Sequence, residues 1–350
     1  MEVIDFLDNR ILEAIRPYQL EALDNINRYL DSDSNKQALI KMPMGTGKTV
    51  IISIASAFFP HINNCLVVTS SSAVKEQLLY DIKMGVWENL CVPFCPIKPV
   101  VELLPSDADV INSNQYPTIY VCTVQALLRI KQDDYSNYTL LKDKVDLVMF
   151  DEGHKEPAQQ WQATIRELEA KVVLFSATPV RNDLNKFSID NQFVYTYSYI
   201  DAVNQGYVND VNFSIIDTST ISNTQRIGEF VSYINNALDS YVNQFDCERD
   251  EVKVIIRCNT DEEIKLLVNE LNNRGLHAKG VHENFGTANE QLLQNVPSDI
   301  RSDGTVCWVH QYKLVEGIDN YKFYILGIYQ ALPDPRSFVQ QVGRVIRKKT

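Results

Sequence analysis

One nine-residue stretch, Lys41-Met-Pro-Met-Gly-Thr-Gly-Lys-Thr49, limits what this chain can fold into more than any other. It stands between an apolar run, Gln37-Ala-Leu-Ile-Lys41, and a helical pattern over 50–59. It therefore reads as the turn from a buried strand into a helix. Gly45 and Gly47 let backbone N–H groups turn inward, where a Cβ would obstruct them. The N-terminus of the following helix adds donors and the positive end of its dipole. Met44 and Thr46 complete the loop, Lys48 supplies an ammonium group and Thr49 a hydroxyl. Such a set suits phosphate oxygens and a divalent cation such as Mg²⁺. Met42 is a departure, because the pattern G-x-x-x-x-G-K-[ST] has glycine at that position.

The surrounding pattern agrees with this reading. Short β-branched runs at 37–41, 65–69, 118–122, 146–150 and 171–175 alternate with helical patterns at 50–59, 72–82 and 159–168. Strands buried on both faces and separated by helices predict a parallel α/β sheet. After Pro179 the pattern loosens into a polar, Asn- and Tyr-rich stretch over 182–223. A second series follows, with strands at 252–256, 305–309 and 323–328 and a helix at 261–273. In that helix Ile264, Leu267, Val268 and Leu271 share one face, and Gly275 ends it. The expectation is two tandem α/β domains, 1–190 and 191–350.

Composition removes other classes. The 350 residues suffice for two cores, and 45% hydrophobic with 22% charged content is ordinary for a globular chain. The formal charge of −12 excludes a broad polycationic surface. No apolar stretch is long enough to cross a bilayer, so no membrane partner is expected. Seven cysteines and an acidic N-terminus without an export signal suggest reduced thiols and a cytoplasmic setting, a nuclear one also fitting. Cys91 and Cys95 form a lone C-x3-C, better read as packing than as a zinc site.

Asp151-Glu152 follows the apolar run 147–150, which places both acids at the carboxyl end of a buried strand. Open α/β sheets bind ligands at that edge. An Asp there can hold Mg²⁺, and the adjacent Glu can deprotonate or orient a water.

At these residues the chain resembles a superfamily 2 DEAD/DEAH-type helicase or translocase of the restriction-enzyme or repair kind. Asp151-Glu-Gly-His154 resembles motif II, Ser176-Ala-Thr-Pro179 matches motif III, and Gln340-Gln-Val-Gly-Arg-Val-Ile-Arg347 matches motif VI. Glu316-Gly-Ile-Asp319 resembles motif V, and Arg16-Pro-Tyr-Gln19 resembles the element that precedes the phosphate loop. The resemblance implies two RecA-like domains with parallel sheets and an ATP cleft between them. It implies ATP and Mg²⁺ as cofactors, with Thr49 and Asp151 on the metal and Glu152 as the base. Gln19 would read adenine, and Gly317 and Asp319 would contact the nucleotide or the network around it. Gln340, Arg344 and Arg347 would act with Lys48 at the γ-phosphate, Arg347 as the arginine finger. His154, Ser176 and Thr178 would couple the nucleotide state to the rest of the motor.

The implied partner is nucleic acid, DNA favoured over RNA on the form of the motifs. Ser70-Ser-Ser-Ala-Val-Lys-Glu-Gln77 occupies the place of motif Ia, from which Ser71 and Gln77 carry over. Thr123-Val-Gln-Ala-Leu127 resembles motif Ib, with Thr123 as a phosphate contact. Ser71 and Thr123 read equally well as helix caps, and the two roles are compatible. Contacts through hydroxyls and amides need few lysines, so the acidic balance does not forbid them. The implied activity is an ATP-dependent helicase or translocase; a nucleotide-gated clamp that closes without unwinding is the alternative. The chain stops three residues after Arg347, so accessory domains or subunits are expected.

Overall fold

The computed structural model describes residues 1–92, 98–113, 116–151, 158–177, 188–217, 221–286, 290–297, 300, 303–312, 322–332 and 335–348. The chain divides into two units, Met1–Gln205 and Gly206–Lys349.

The first unit is built on seven strands: β1 (Gln37–Lys41), β2 (Cys65–Thr69), β3 (Val100–Glu102), β4 (Ile119–Thr123), β5 (Leu147–Asp151), β6 (Lys171–Ser176) and β7 (Ile189–Thr196). They lie in the order β3-β4-β2-β5-β6-β1-β7, every pair parallel. Strands β2 and β4 are buried along their whole length, as expected for a sheet covered on both faces. One core packs Tyr120, Phe150 and Leu174 with Leu127 and Ile130 from the helix Val124–Asp133. Each such side chain contributes about 1.5–3 kcal/mol by leaving water.

The unit boundary falls later than residue 190, for a local reason. Strand β7 lies within the polar stretch but joins the first sheet beside β1, with Leu39 opposite Val194 and Lys41 opposite Thr196. Beyond it the Tyr197 N–H donates to the Lys41 carbonyl at 2.9 Å. Only Phe193 of this edge strand is buried, so it carries no apolar run to announce it.

The second unit holds β8 (Lys253–Arg257), β9 (Ala278–Val281), β10 (Leu292–Leu293), β11 (Cys307–His310) and β12 (Phe323–Ile328). Their order is β10-β9-β11-β8-β12, again all parallel. The helix Asp261–Asn273 begins on a capping box, Thr260 accepting from the Glu263 N–H and Glu263 answering at the cap. A 23-residue helix, Asn223–Phe245, packs Val231, Ile234 and Leu238 onto the same core. Among the described residues no helix is long and apolar enough to cross a membrane. No cluster of three metal-binding side chains occurs among them, and Cys95 lies outside them.

Candidate functional site

The turn after β1 has the conformation its glycines predict. Gly45 and Gly47 sit at φ +77° and +79°, the left-handed region that side chains avoid. Gly47 caps the helix Lys48–Phe58, whose first N–H groups therefore open toward the loop. Met42 is 1% exposed and prolongs β1, its N–H donating to the Ser176 carbonyl at 3.0 Å. It belongs to the core rather than to the cradle, which explains why glycine is not needed there.

The element before the loop braces it. Thr46 is fully buried, and its carbonyl oxygen accepts from the Tyr18 hydroxyl at 2.9 Å and from the Gln19 amide Nε2 at 3.2 Å. In a trans peptide the next N–H points opposite to the carbonyl. Holding the Thr46 carbonyl toward the helix Pro17–Leu30 therefore turns the Gly47 N–H to the other side. Arg16 donates to the Tyr18 hydroxyl at 2.9 Å, and the Tyr18 ring stacks on Tyr197 with centroids 4.0 Å apart. Gln19 is 3% exposed and its Oε1 accepts from the Arg16 N–H at 2.9 Å. Both ends of the amide expected at adenine are thus engaged with the chain's own backbone.

Three neighbouring strand ends assemble the rest. Lys41 is opposite Ser176, and Asp151 is opposite Phe175, so β1, β6 and β5 end on one edge. Asp151 and the loop are two strand spacings apart, about 10 Å. That span suits a nucleotide triphosphate with its cation. Lys48 reaches across the loop to the Met42 carbonyl at 3.4 Å, and Thr49 is half-buried on the first turn of the helix. The left-handed glycines, the helix N-terminus, one hydroxyl and one carboxylate fit a triphosphate and Mg²⁺. Glu152, His154, Thr178, Gly317 and Asp319 lie outside the described residues.

In the second unit Gln340 is half-buried on the helix Pro335–Val342, which turns off at Gly343. Arg344 is 5% exposed and close to His310 at the end of β11, a residue that sequence reasoning missed. His310 pairs in register with Arg257 of β8. Burial first, and then the Arg257 and Arg344 charges, push its imidazole down to about 3, against a hydrogen bond to Gln341. Arg347 is half-buried, forms an antiparallel bridge with Val208 and accepts at its carbonyl from Asn209 Nδ2 at 3.1 Å.

The residues proposed for a strand are brought together in part. Ser71 caps the helix Ser72–Tyr80 and accepts from the Val74 N–H at 3.4 Å. Thr123 caps Val124–Asp133 and accepts from the Ala126 N–H at 3.1 Å. Both caps open into one cavity of about 430 Å³ at the carboxyl ends of β2 and β4. Gln77 does not line it: this exposed side chain donates to Asp81 at 3.0 Å. Lys75, Gln125 and Arg129 do line it, and sequence reasoning passed over them. The available signal was their spacing, since Lys75 is one turn from Ser71 and Arg129 one turn from Gln125.

Residues 13–181 match the family described as type III restriction enzyme, res subunit. That likeness takes in just under half of the chain. Solved structures similar to this chain include the fragment of an HsdR subunit of a type I restriction enzyme from Vibrio vulnificus YJ016. That match has TM-score 0.64 and 17% identity, covering 95% of this chain and 61% of the other. Mycobacterium smegmatis helicase Lhr bound to ssDNA and AMP-PNP matches at TM-score 0.61 and 17% identity, over 97% of this chain and 46% of the other. A point variant of S. cerevisiae Dbp5 bound to RNA and ADP BeF3 matches at 0.56 and 15%, over 94% and 84%. This chain thus spans less than two thirds of the first two proteins. A comparison with curated proteins found no match. Its two parallel sheets are RecA-like.

Proposed function

We propose that the protein is a nucleic-acid-dependent ATPase that moves along a strand, DNA favoured over RNA. The observation that supports this reading is the shared edge of β1, β6 and β5: the loop carrying Lys48 and Thr49 follows β1, and Asp151 ends β5. Lys48 and the loop N–H groups would hold the β- and γ-phosphates, leaving Glu152 to take a proton from the attacking water. Thr49 and Asp151 would hold Mg²⁺, which when bound neutralises charge on the phosphate oxygens. Arg344 and Arg347 would supply positive charge to the γ-phosphate as its bond breaks, while Ser176 and the Thr178 and His154 side chains would report the nucleotide state. The match to a restriction-enzyme family supports DNA, as does the ssDNA-bound helicase; the RNA-bound neighbour is the counterweight.

ATP turnover measured with single-stranded DNA, duplex DNA and RNA tests this directly. Stimulation by DNA above RNA is the expected result. Stimulation by RNA alone would reassign the substrate, and indifference to every polymer would overturn the motor reading. Binding that depends on nucleotide without displacement of a labelled duplex or movement along DNA would favour the clamp.

A further inference from the structure

Tyr312 is 66% exposed, and its ring lies over the guanidinium of a buried arginine. It stands two residues beyond β11, whose last residue His310 is level with Arg257 at the end of β8. β12 ends at the same level, with Ile328 opposite Arg257. Tyr312 is therefore on the carboxyl edge of the second sheet, where open α/β sheets take their ligands. Arg257 is 4% exposed, and its Nη1 donates to Asn259 Oδ1 at 3.1 Å. Its Cζ is 4.8 Å from the Tyr312 ring centroid, a cation–π distance. No carboxylate pairs with Arg257 among the described residues.

The residue before Tyr312 is pinned from both sides. The Asn284 N–H donates to His282 Nδ1 at 3.1 Å, so Nε2 carries the imidazole proton and donates to Gln311 Oε1 at 2.7 Å. Gln311 Nε2 in turn donates to the Asn259 carbonyl. Asn259 Nδ2 donates to Gln330 Oε1 at 2.9 Å, and Gln330 Nε2 to the Glu263 carboxylate. One line of donors thus ties together the ends of β9, β11, β8 and β12. An exposed tyrosine is ordinary on a protein surface. This one has a fixed cation behind its ring and an anchored neighbour in the chain, and it stands on a ligand-binding edge.

We propose that Tyr312 is a stacking platform for one base of the bound strand, with Arg257 fixing the ring from behind. The partner that fits an exposed aromatic face is another flat π system, and a nucleobase of any identity supplies one. A ring already held in place loses little freedom when the base arrives. Arg257 also sets a positive charge close to a polyanion without touching a phosphate. The strand contacts drawn from the motif resemblance reach the sugar–phosphate backbone, whereas this one takes the base itself. The inference rests on the reading of the chain as a nucleic-acid motor and adds a contact that requires bases to be present.

Fluorescence anisotropy on the full chain with saturating AMP-PNP tests it, comparing a labelled single-stranded oligothymidylate with an abasic oligomer of equal length. The native chain is expected to bind the abasic strand about tenfold more weakly. Tyr312→Ala should weaken oligothymidylate binding about tenfold and bind the two strands alike. Its slope of log Kd against log salt should match that of the native chain, because no phosphate contact is lost. Tyr312→Phe keeps the π face and should bind as the native chain does. Tyr312→Leu still covers Arg257 but cannot stack, and should behave as Tyr312→Ala. Native affinity in Tyr312→Leu would leave the ring a mere cover for Arg257 and overturn the platform, as would equal binding of both strands by the native chain. A loss in Tyr312→Phe as large as in Tyr312→Ala would assign the contact to the hydroxyl and overturn stacking. Weaker AMP-PNP binding by Tyr312→Ala in the absence of any strand would give the ring to the base of the nucleotide and overturn the assignment to the strand. Absence of oligothymidylate binding by the native chain in any nucleotide state would overturn the motor reading together with this one.

Discussion

The side-chain amide of Gln19 lies directly against Gly47, so that a Cβ at position 47 would collide with Nε2. The two residues are 28 positions apart, and their contact ties the helix Pro17–Leu30 to the phosphate loop through the Thr46 carbonyl. Gly47→Ala is therefore expected to fail twice. It places a side chain at φ +79°, which costs about 1–2 kcal/mol, and it drives Gln19 off the carbonyl that orients the loop. Steady-state kinetics should give a fall in kcat/KM of about 10², the scale of an ångström-level misplacement. Gln19→Ala in the same background should relieve the collision and recover only part of the loss, because the strained φ remains.

Lys48→Ala is expected to abolish ATP turnover and to weaken nucleotide binding, since the proposed phosphate cradle includes its ammonium group. Glu152→Gln should separate the two steps. Retained nucleotide affinity with turnover lowered about 10²–10⁴ is the expectation for loss of a general base. Isothermal titration and a phosphate-release assay read the two quantities independently. Normal turnover by Glu152→Gln would remove it from that role.

Arg347→Ala should lower kcat by about 10³–10⁵ if its guanidinium is the finger on the γ-phosphate. Arg344→Ala is expected to behave differently, because Arg344 is 5% exposed beside His310 and its loss also disturbs the second core. A kcat unchanged in Arg347→Ala and collapsed in a folded Arg344→Ala would transfer the finger to Arg344.

Acid should destabilise the second unit through His310. Its imidazole is fully buried and titrates near 3 in the folded chain, against 6.5 for the free side chain. Between those values the unfolded chain binds the extra proton, so stability is lost as pH falls below 6.5 and the loss continues toward 3. At pH 5 the cost is about 2 kcal/mol. Urea midpoints followed between pH 7 and pH 5 should fall in the native chain and fall less in His310→Gln. Equal pH dependence in both would show that other groups govern acid sensitivity. Arg257 and Arg344 face His310 and stay charged throughout, and Gln341 does not titrate.

The strands and helices with strong apolar signatures were legible from sequence to within a residue or two. The predicted strand at 37–41 is β1, and the predicted helix at 261–273 is observed over the same span. Elements with weak signatures were not. β7 has one buried residue, Phe193, among exposed and half-buried positions at the sheet edge, β9 is four residues long, and β10 is two. The helix Asn223–Phe245 was recoverable, since Ile227, Val231, Ile234 and Leu238 recur at helical spacing behind a Ser222–Gln225 capping box. His310 was not, because a histidine after an apolar strand is unremarkable until Arg257 and Arg344 are known to surround it.

The sequence by itself determined the phosphate loop and the carboxylate that ends β5. It also determined the α/β class, because glycine placement and hydrophobic period are local properties of the chain. The tertiary structure decided which strands are neighbours, and through that the order β3-β4-β2-β5-β6-β1-β7. That order sets Asp151 one strand from Ser176, brings Ser71 and Thr123 to one cavity and pairs Lys75 with Glu102. Apolar strands carry no code for their neighbours: each central run is buried on both faces and would satisfy several partners equally. Crossover lengths and side-chain packing choose among them, and only the folded chain shows the choice.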